Sequence, residues 1–109
     1  MQKTSGISAQ LETALSGIPG IVSAFIFGSV AVGTENAASD VDVLILGSAG
    51  LRKISTALRR VSASLGREIN PHCLTVEEWR TRLAGDDDFV HRVAAEPKLW
   101  LKGGPDVPR

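Results

Sequence analysis

Two aspartates lie two residues apart at the start of an apolar segment. Asp40 directly precedes residues 41–46, a run typical of a buried strand, and Asp42 is the second residue of that run. Side chains two apart on a strand point to the same side, so both carboxylates face one way. Such neighbours repel each other unless a cation lies between them, and their hard oxygen atoms select Mg²⁺ or Mn²⁺. The pair therefore predicts a divalent-metal site, and an ordinary solvated strand end is the alternative interpretation.

A glycine and a serine end the apolar run that comes before these aspartates. Gly28 and Ser29 follow residues 21–27, and ten residues separate Ser29 from Asp40. Glycine allows a sharp turn and a close approach of phosphate. Residues from Ser29 onward predict a short helix that ends at Gly33, and free N–H groups at a helix start attract an anion. This turn is therefore expected to bind phosphate, although both glycines could be ordinary turn residues.

The flanking pattern alternates strands and helices, which predicts an α+β (α/β) sandwich. Pro71 cannot donate to a sheet ladder, so the third strand is expected at a sheet edge. Thr75 begins a capping box, and three aspartates precede a short helix that they are expected to cap. The predicted strands are residues 21–27, 41–46, 67–74 and 98–101. Residues 7–18 have helical spacing, and residues 51–65 are the clearest helix.

The length of 109 residues predicts one domain, residues 1–102, followed by a flexible C-terminal tail, residues 103–109. Twelve basic and twelve acidic residues cancel, which disfavours strong non-specific nucleic-acid binding. No apolar run approaches the ~20 residues of a membrane helix, and the N-terminus lacks the pattern of a signal peptide. A cytoplasmic protein without membrane contact is therefore expected. Cys73 is the single cysteine, so no intrachain disulfide can form.

The combination of Phe27-Gly28-Ser29, Gly33 and residues 39–45 resembles the minimal nucleotidyltransferases of the DNA polymerase beta-like nucleotidyltransferase superfamily. Residues 67–71 and several later positions are also similar to one minimal branch. The resemblance implies a small mixed β-sheet backed by helices. It also implies Mg²⁺-dependent (or Mn²⁺-dependent) transfer of a nucleoside monophosphate from a nucleoside triphosphate, ATP in the first instance, to a hydroxyl acceptor.

The same resemblance implies roles for particular residues. Asp40 and Asp42 would hold the metal ions, and a third carboxylate would come from the following strand. Glu68 is the candidate, with Asn70 on the same strand face as the alternative, although the family more often has Asp there. The phosphates would be held by Gly28, Ser29, Gly33 and Ser39.

Minimal members of this family often act beside a separate helical protein, notably the HEPN partners of toxin–antitoxin pairs, so such a partner is an expectation here. A nucleotide- or partner-binding module that kept the fold and lost turnover is the main alternative. A two-metal hydrolase is a weaker one, because the Gly-Ser turn argues against it. The two tryptophans are expected in the core, and His72 and His91 are expected to be surface or packed residues.

Overall fold

The computed structural model describes residues 3–28 and 40–103, and their side chains from residue 6 onward. Ser29, Gly33 and Ser39 lie outside the described residues, as do residues 104–109. The described part follows the predicted alternation, with the third strand beginning at residue 69 and not at 67. Its elements, in chain order, are α1 (Lys3–Ser16), β1 (Ile21–Phe27), β2 (Val41–Gly47), α2 (Leu51–Leu65), β3 (Ile69–Leu74), α3 (Val76–Ala84), α4 (Asp88–Ala95) and β4 (Leu99–Lys102).

The four strands form one mixed sheet in the order β3-β2-β1-β4. β1 pairs antiparallel with both β2 and β4, whereas β2 and β3 run parallel. The two parallel strands are joined through α2, the usual crossover for such a pair. β3 is an edge strand, which confirms the position predicted from Pro71, and the α+β fold with a small mixed sheet is likewise confirmed.

Helices cover both faces of the sheet. On what we call the back face, α1 and α2 pack on aliphatic side chains of all four strands. On the front face, α3 and α4 pack on an aromatic cluster that includes Phe25, Phe27 and Trp79. Trp79 is buried and Trp100 packs edge-on against Phe25 with the ring centroids 5.0 Å apart, as expected of core residues. Period-2 alternation along β1 and β2 thus supplies two separate cores.

Local signals fix where the helices begin and end. Gly66 ends α2 in the left-handed conformation, at φ 69°. The Thr75 side chain accepts from the Glu78 N–H while Glu78 accepts from the Thr75 N–H, both at 2.9 Å, which is the predicted capping box. Asp87 accepts from the Val90 N–H and caps α4. No helix within residues 3–28 and 40–103 is long and apolar enough to span a membrane.

Candidate active site

The Gly28 turn lies directly against one of the two aspartates. β1 ends at Phe27, which pairs with Asp42 across the antiparallel ladder, and Gly28 then turns the chain at φ 81°. A Cβ atom added to Gly28 would lie 3.1 Å from Asp42 Oδ2. Glycine therefore serves both the positive φ and the close approach of the carboxylate. Of the predicted phosphate-binding turn and the predicted metal site, Gly28 and Asp42 are therefore close neighbours.

Asp42 projects from the front face of β2 because its neighbours project from the back. Val41, Val43 and Ile45 are buried in the back-face core. Leu44, two residues after Asp42, belongs to the front-face core. The Asp42 side chain stays 36% exposed because it lies at the end of the strand. A largely buried strand therefore presents this partly exposed carboxylate to solvent.

Asp40 lies just before β2 and is contacted by β3. The Asn70 amide Nδ2 donates to Asp40 Oδ2 at 3.5 Å, a long hydrogen bond. Asn70 is also the register partner of Asp42 in the parallel ladder. The Val41 N–H, between the two aspartates, donates to the Glu68 carbonyl at 2.9 Å. The start of β3 therefore lies beside both aspartates.

Glu68, the candidate third carboxylate, is exposed and lines a cavity of about 170 Å³ beside α2. Other residues of that cavity are Ser55, Arg59 and Ser62. In the described part of the chain it is Asn70, and not Glu68, that has a side-chain hydrogen bond to the aspartate pair. Within those same residues, no three His, Cys, Asp or Glu side chains already form a metal-binding group.

His72 belongs to this site, and the sequence interpretation missed it. Its Nε2 lies 3.7 Å from Asp42 Oδ1, and its side chain is 38% exposed. The ring packs between Phe27 and Phe89, with both centroid distances 5.4 Å, so the expectation of a packed residue describes only its apolar contacts. The sequence could have indicated this, because His72 is two residues beyond Asn70 on the same strand and therefore lies on the same face.

Two cavities differ in their relation to the aspartates. One, of about 450 Å³, has a lining that includes Arg82, Asp87, Phe89 and His72, the residue that lies beside Asp42. A larger one, of about 590 Å³, lies between α1 and α2 on the back face. Since the sheet separates it from the carboxylates, the larger cavity is not the site of their chemistry.

Cys73 follows His72 in the sequence, but its side chain is not part of the site. Its side chain packs against the back-face core, and burial raises the pKa of the thiol. A thiol held protonated at neutral pH is a poor nucleophile and a poor metal ligand. The polar groups that the structure brings together at this end of the sheet include the carboxylates of Asp40 and Asp42, the Asn70 amide and the His72 imidazole. Such oxygen-rich sets bind divalent cations and, through them, phosphate groups.

Comparison with protein families identifies the class. The nucleotidyltransferase domain model matches residues 8–99, which is most of the chain. Among curated proteins, none matches the sequence significantly. The chain belongs to the nucleotidyltransferase domain family and is a nucleotidyltransferase, as its motifs predicted.

Solved structures with the same fold come from toxin–antitoxin complexes. One is a toxin–antitoxin crystal structure with AMP-PNP, matched with a TM-score of 0.64 and 16% identity over 90% of this chain and 74% of that one. Another is the MntA–HpeT toxin–antitoxin complex in a form with two Asp-to-Glu substitutions, with a TM-score of 0.64, 14% identity and the same coverage. At these identities the likeness shows the fold.

Proposed function

We propose that this nucleotidyltransferase transfers a nucleoside monophosphate from a nucleoside triphosphate, ATP in the first instance, to a hydroxyl group with the help of Mg²⁺ or Mn²⁺. The observation that carries this proposal is how closely Asp42 approaches Gly28, where an added Cβ would lie 3.1 Å from Asp42 Oδ2. It brings a candidate phosphate-binding turn and a candidate metal ligand to one point. A toxin–antitoxin protein of this fold was solved with AMP-PNP, an ATP analogue, which further supports ATP as the substrate.

The residues present fit a divalent cation. Two carboxylates, Asp40 and Asp42, offer the oxygen donors that Mg²⁺ and Mn²⁺ prefer, and the Asn70 amide lies beside them with its Nδ2 on Asp40. A bound cation would neutralise charge on the phosphates and favour displacement of pyrophosphate. Sites of this kind use one or two carboxylates and complete the coordination with substrate phosphates. The absence of a preformed three-ligand group among the described residues is compatible with that arrangement.

The remaining roles belong to the chain itself. Gly28, Ser29, Gly33 and Ser39 bind the β- and γ-phosphates through N–H and hydroxyl groups. The acceptor oxygen forms a bond to the α-phosphorus, the bond to pyrophosphate breaks, and the hydroxyl proton passes to water, a step that Glu68 favours. Because this transfer requires little covalent chemistry from the protein, the rate enhancement would come mainly from positioning and charge neutralisation.

The third carboxylate in this proposal is Glu68. It precedes Asn70 by two residues, and its carbonyl is bonded to the Val41 N–H between the two aspartates. Its backbone therefore lies within reach of the site. Asn70 is the alternative, in which case two carboxylates and an amide complete the ligand set.

Variants of these two residues separate the assignments. With Glu68 in the site, Glu68→Gln abolishes turnover while ATP still binds, and Asn70→Ala keeps measurable turnover. Turnover and ATP titration would be measured for both variants. Equal rates for Glu68→Gln and wild type, together with loss of turnover in Asn70→Ala, would transfer the role to Asn70.

The proposed acceptor is carried by a partner protein, with a HEPN-type helical protein as the candidate. The support is the fold, which is found in toxin–antitoxin complexes. A catalytically weak nucleotide- or partner-binding module remains the alternative function, and the Asn70 amide beside Asp40 is the observation that favours it.

Labelled nucleotide tests the proposed reaction directly. The protein is incubated with Mg²⁺ or Mn²⁺, a lysate containing its natural partners, and ATP labelled at the α- or γ-phosphate. We expect label from the α-position alone to enter an acceptor, and Asp42→Asn to prevent it. Transfer from the γ-position would indicate a kinase. Tight ATP binding without transfer would favour the binding module.

A further inference from the structure

The face of β3 beside Asp42 carries no carboxylate. Between Ile69 and Leu74 it presents an amide at Asn70 and an imidazole at His72. His72 Nε2 lies 3.7 Å from Asp42 Oδ1. A ring nitrogen therefore lies where the proposed metal site would otherwise have only oxygen donors.

Apolar contacts locate the His72 ring. Its centroid is 5.4 Å from that of Phe27 and 5.4 Å from that of Phe89, and the plane of Phe89 is tilted from it by 35°. Phe27 lies on β1 and Phe89 on α4, so two different elements hold the ring. The ring is thus positioned by packing, and Nε2 is directed at Asp42.

The distance between His72 Nε2 and Asp42 Oδ1 is compatible with both atoms binding one metal ion. Ligand atoms that each lie about 2.1 Å from a metal are separated by about 3 Å at a right angle and about 4.2 Å when opposite. The observed 3.7 Å lies between these limits. An ion could therefore contact both atoms with little movement of either element.

We propose that His72 is a nitrogen ligand of the ion bound by Asp42, and that this site consequently prefers Mn²⁺ to Mg²⁺. Mg²⁺ takes almost only oxygen ligands in octahedral geometry, whereas first-row transition metals accept imidazole as well as carboxylate. The inference rests on the proposed function, because triphosphate oxygens must complete the coordination. A simple ion pair between protonated His72 and Asp42 is the competing account.

Pulsed electron paramagnetic resonance of bound Mn²⁺ distinguishes the two accounts. The protein is labelled with ¹⁵N-histidine and mixed with Mn²⁺ and a non-hydrolysable ATP analogue, so that a ¹⁵N coupling can come only from a protein histidine. The chain has two histidines, which provides a matched control. We expect the coupling in wild type and in His91→Phe, and its absence in His72→Phe, which keeps a ring between Phe27 and Phe89.

Metal titrations in the presence of the analogue give a second readout. His72→Phe should lower Mn²⁺ affinity by about tenfold or more, since loss of even an outer-shell partner costs about 10- to 100-fold. Mg²⁺ affinity should change much less. Wild type that binds Mn²⁺ and analogue without a histidine coupling would overturn the role of His72 and leave the proposed function standing. Wild type that binds neither metal with the analogue would overturn both.

Discussion

The two faces of the sheet use the same strands for different purposes. On the back face, Leu11 and Ile54 from the helices and Val43 from β2 are fully buried in one aliphatic cluster. On the front face, the aromatic cluster is covered by α3 and α4, but Asp42 at its end stays exposed to solvent. A closed face stabilises the fold, and an open end provides a place for a charged ligand.

This difference is visible within β2 itself. Val41 and Val43 are 0% exposed, whereas the residue between them is a half-exposed aspartate. A one-residue shift of the strand would turn the carboxylate into the back-face core and place a valine at the open end of the front face. The back-face core therefore fixes the register that positions Asp42. Stability and chemistry should accordingly respond to different substitutions.

The largest effect is expected from the closed face. Leu11→Ala removes a fully buried side chain and leaves a cavity, so the free energy of unfolding should fall by about 2–5 kcal/mol. Leu51 on α2 is 56% exposed, and Leu51→Ala should change it by no more than about 0.5 kcal/mol. Urea unfolding of both variants measures this. Similar losses in the two would contradict the description of the back face as a closed core around Leu11.

The next effect concerns the open end. Asp42→Asn removes a charge that is exposed and weakly paired with His72, so the unliganded protein should stay within about 1 kcal/mol of wild type. A metal–nucleotide complex that binds only the folded state stabilises wild type by about 2.7 kcal/mol at 100 times the dissociation constant, a melting shift of order 10 °C. Asp42→Asn should lose most of that shift.

Thermal melting with and without Mg²⁺ or Mn²⁺ and ATP gives both quantities. An equal ligand-induced shift in Asp42→Asn and wild type would remove Asp42 from the metal site. A large loss of stability in the unliganded variant would instead mean that the Asp42 carboxylate stabilises the fold. The front face would then have no open end reserved for ligand binding.

The elements were predictable from the sequence because their signals are local. The Thr75 capping box, the Gly66 helix end and the edge position implied by Pro71 each depend on residues close in the chain. Alternation along residues 41–46 also predicted that Asp42 points to the opposite face from Val41, Val43 and Ile45. These signals do not require knowledge of which strands are neighbours.

The surroundings of Asp42 were less predictable because they depend on strand pairing. Parallel pairing of β2 with β3 sets Asn70 opposite Asp42 and directs the His72 ring toward it. Sequence alone gave Glu68 and Asn70 the same strand face, and only the placement of β3 distinguishes an amide in contact with Asp40 from a glutamate beside α2. The positions of Glu68 and Asn70 relative to the aspartates depend on the register between β2 and β3, which no local sequence pattern specifies.

A pair of glycine variants separates the effect of backbone strain from the effect on metal and ATP binding at Gly28. Gly28 and Gly66 both have a left-handed φ, at 81° and 69°, but a Cβ would meet Asp42 Oδ2 at Gly28 and nothing within 4 Å at Gly66. Alanine at either position should cost about 1–2 kcal/mol of stability, because an L-residue is strained there. Only Gly28→Ala should also displace the carboxylate and weaken binding of metal and ATP. Melting and titration of the two variants test this, and equal binding by both would show that Gly28 serves the turn alone.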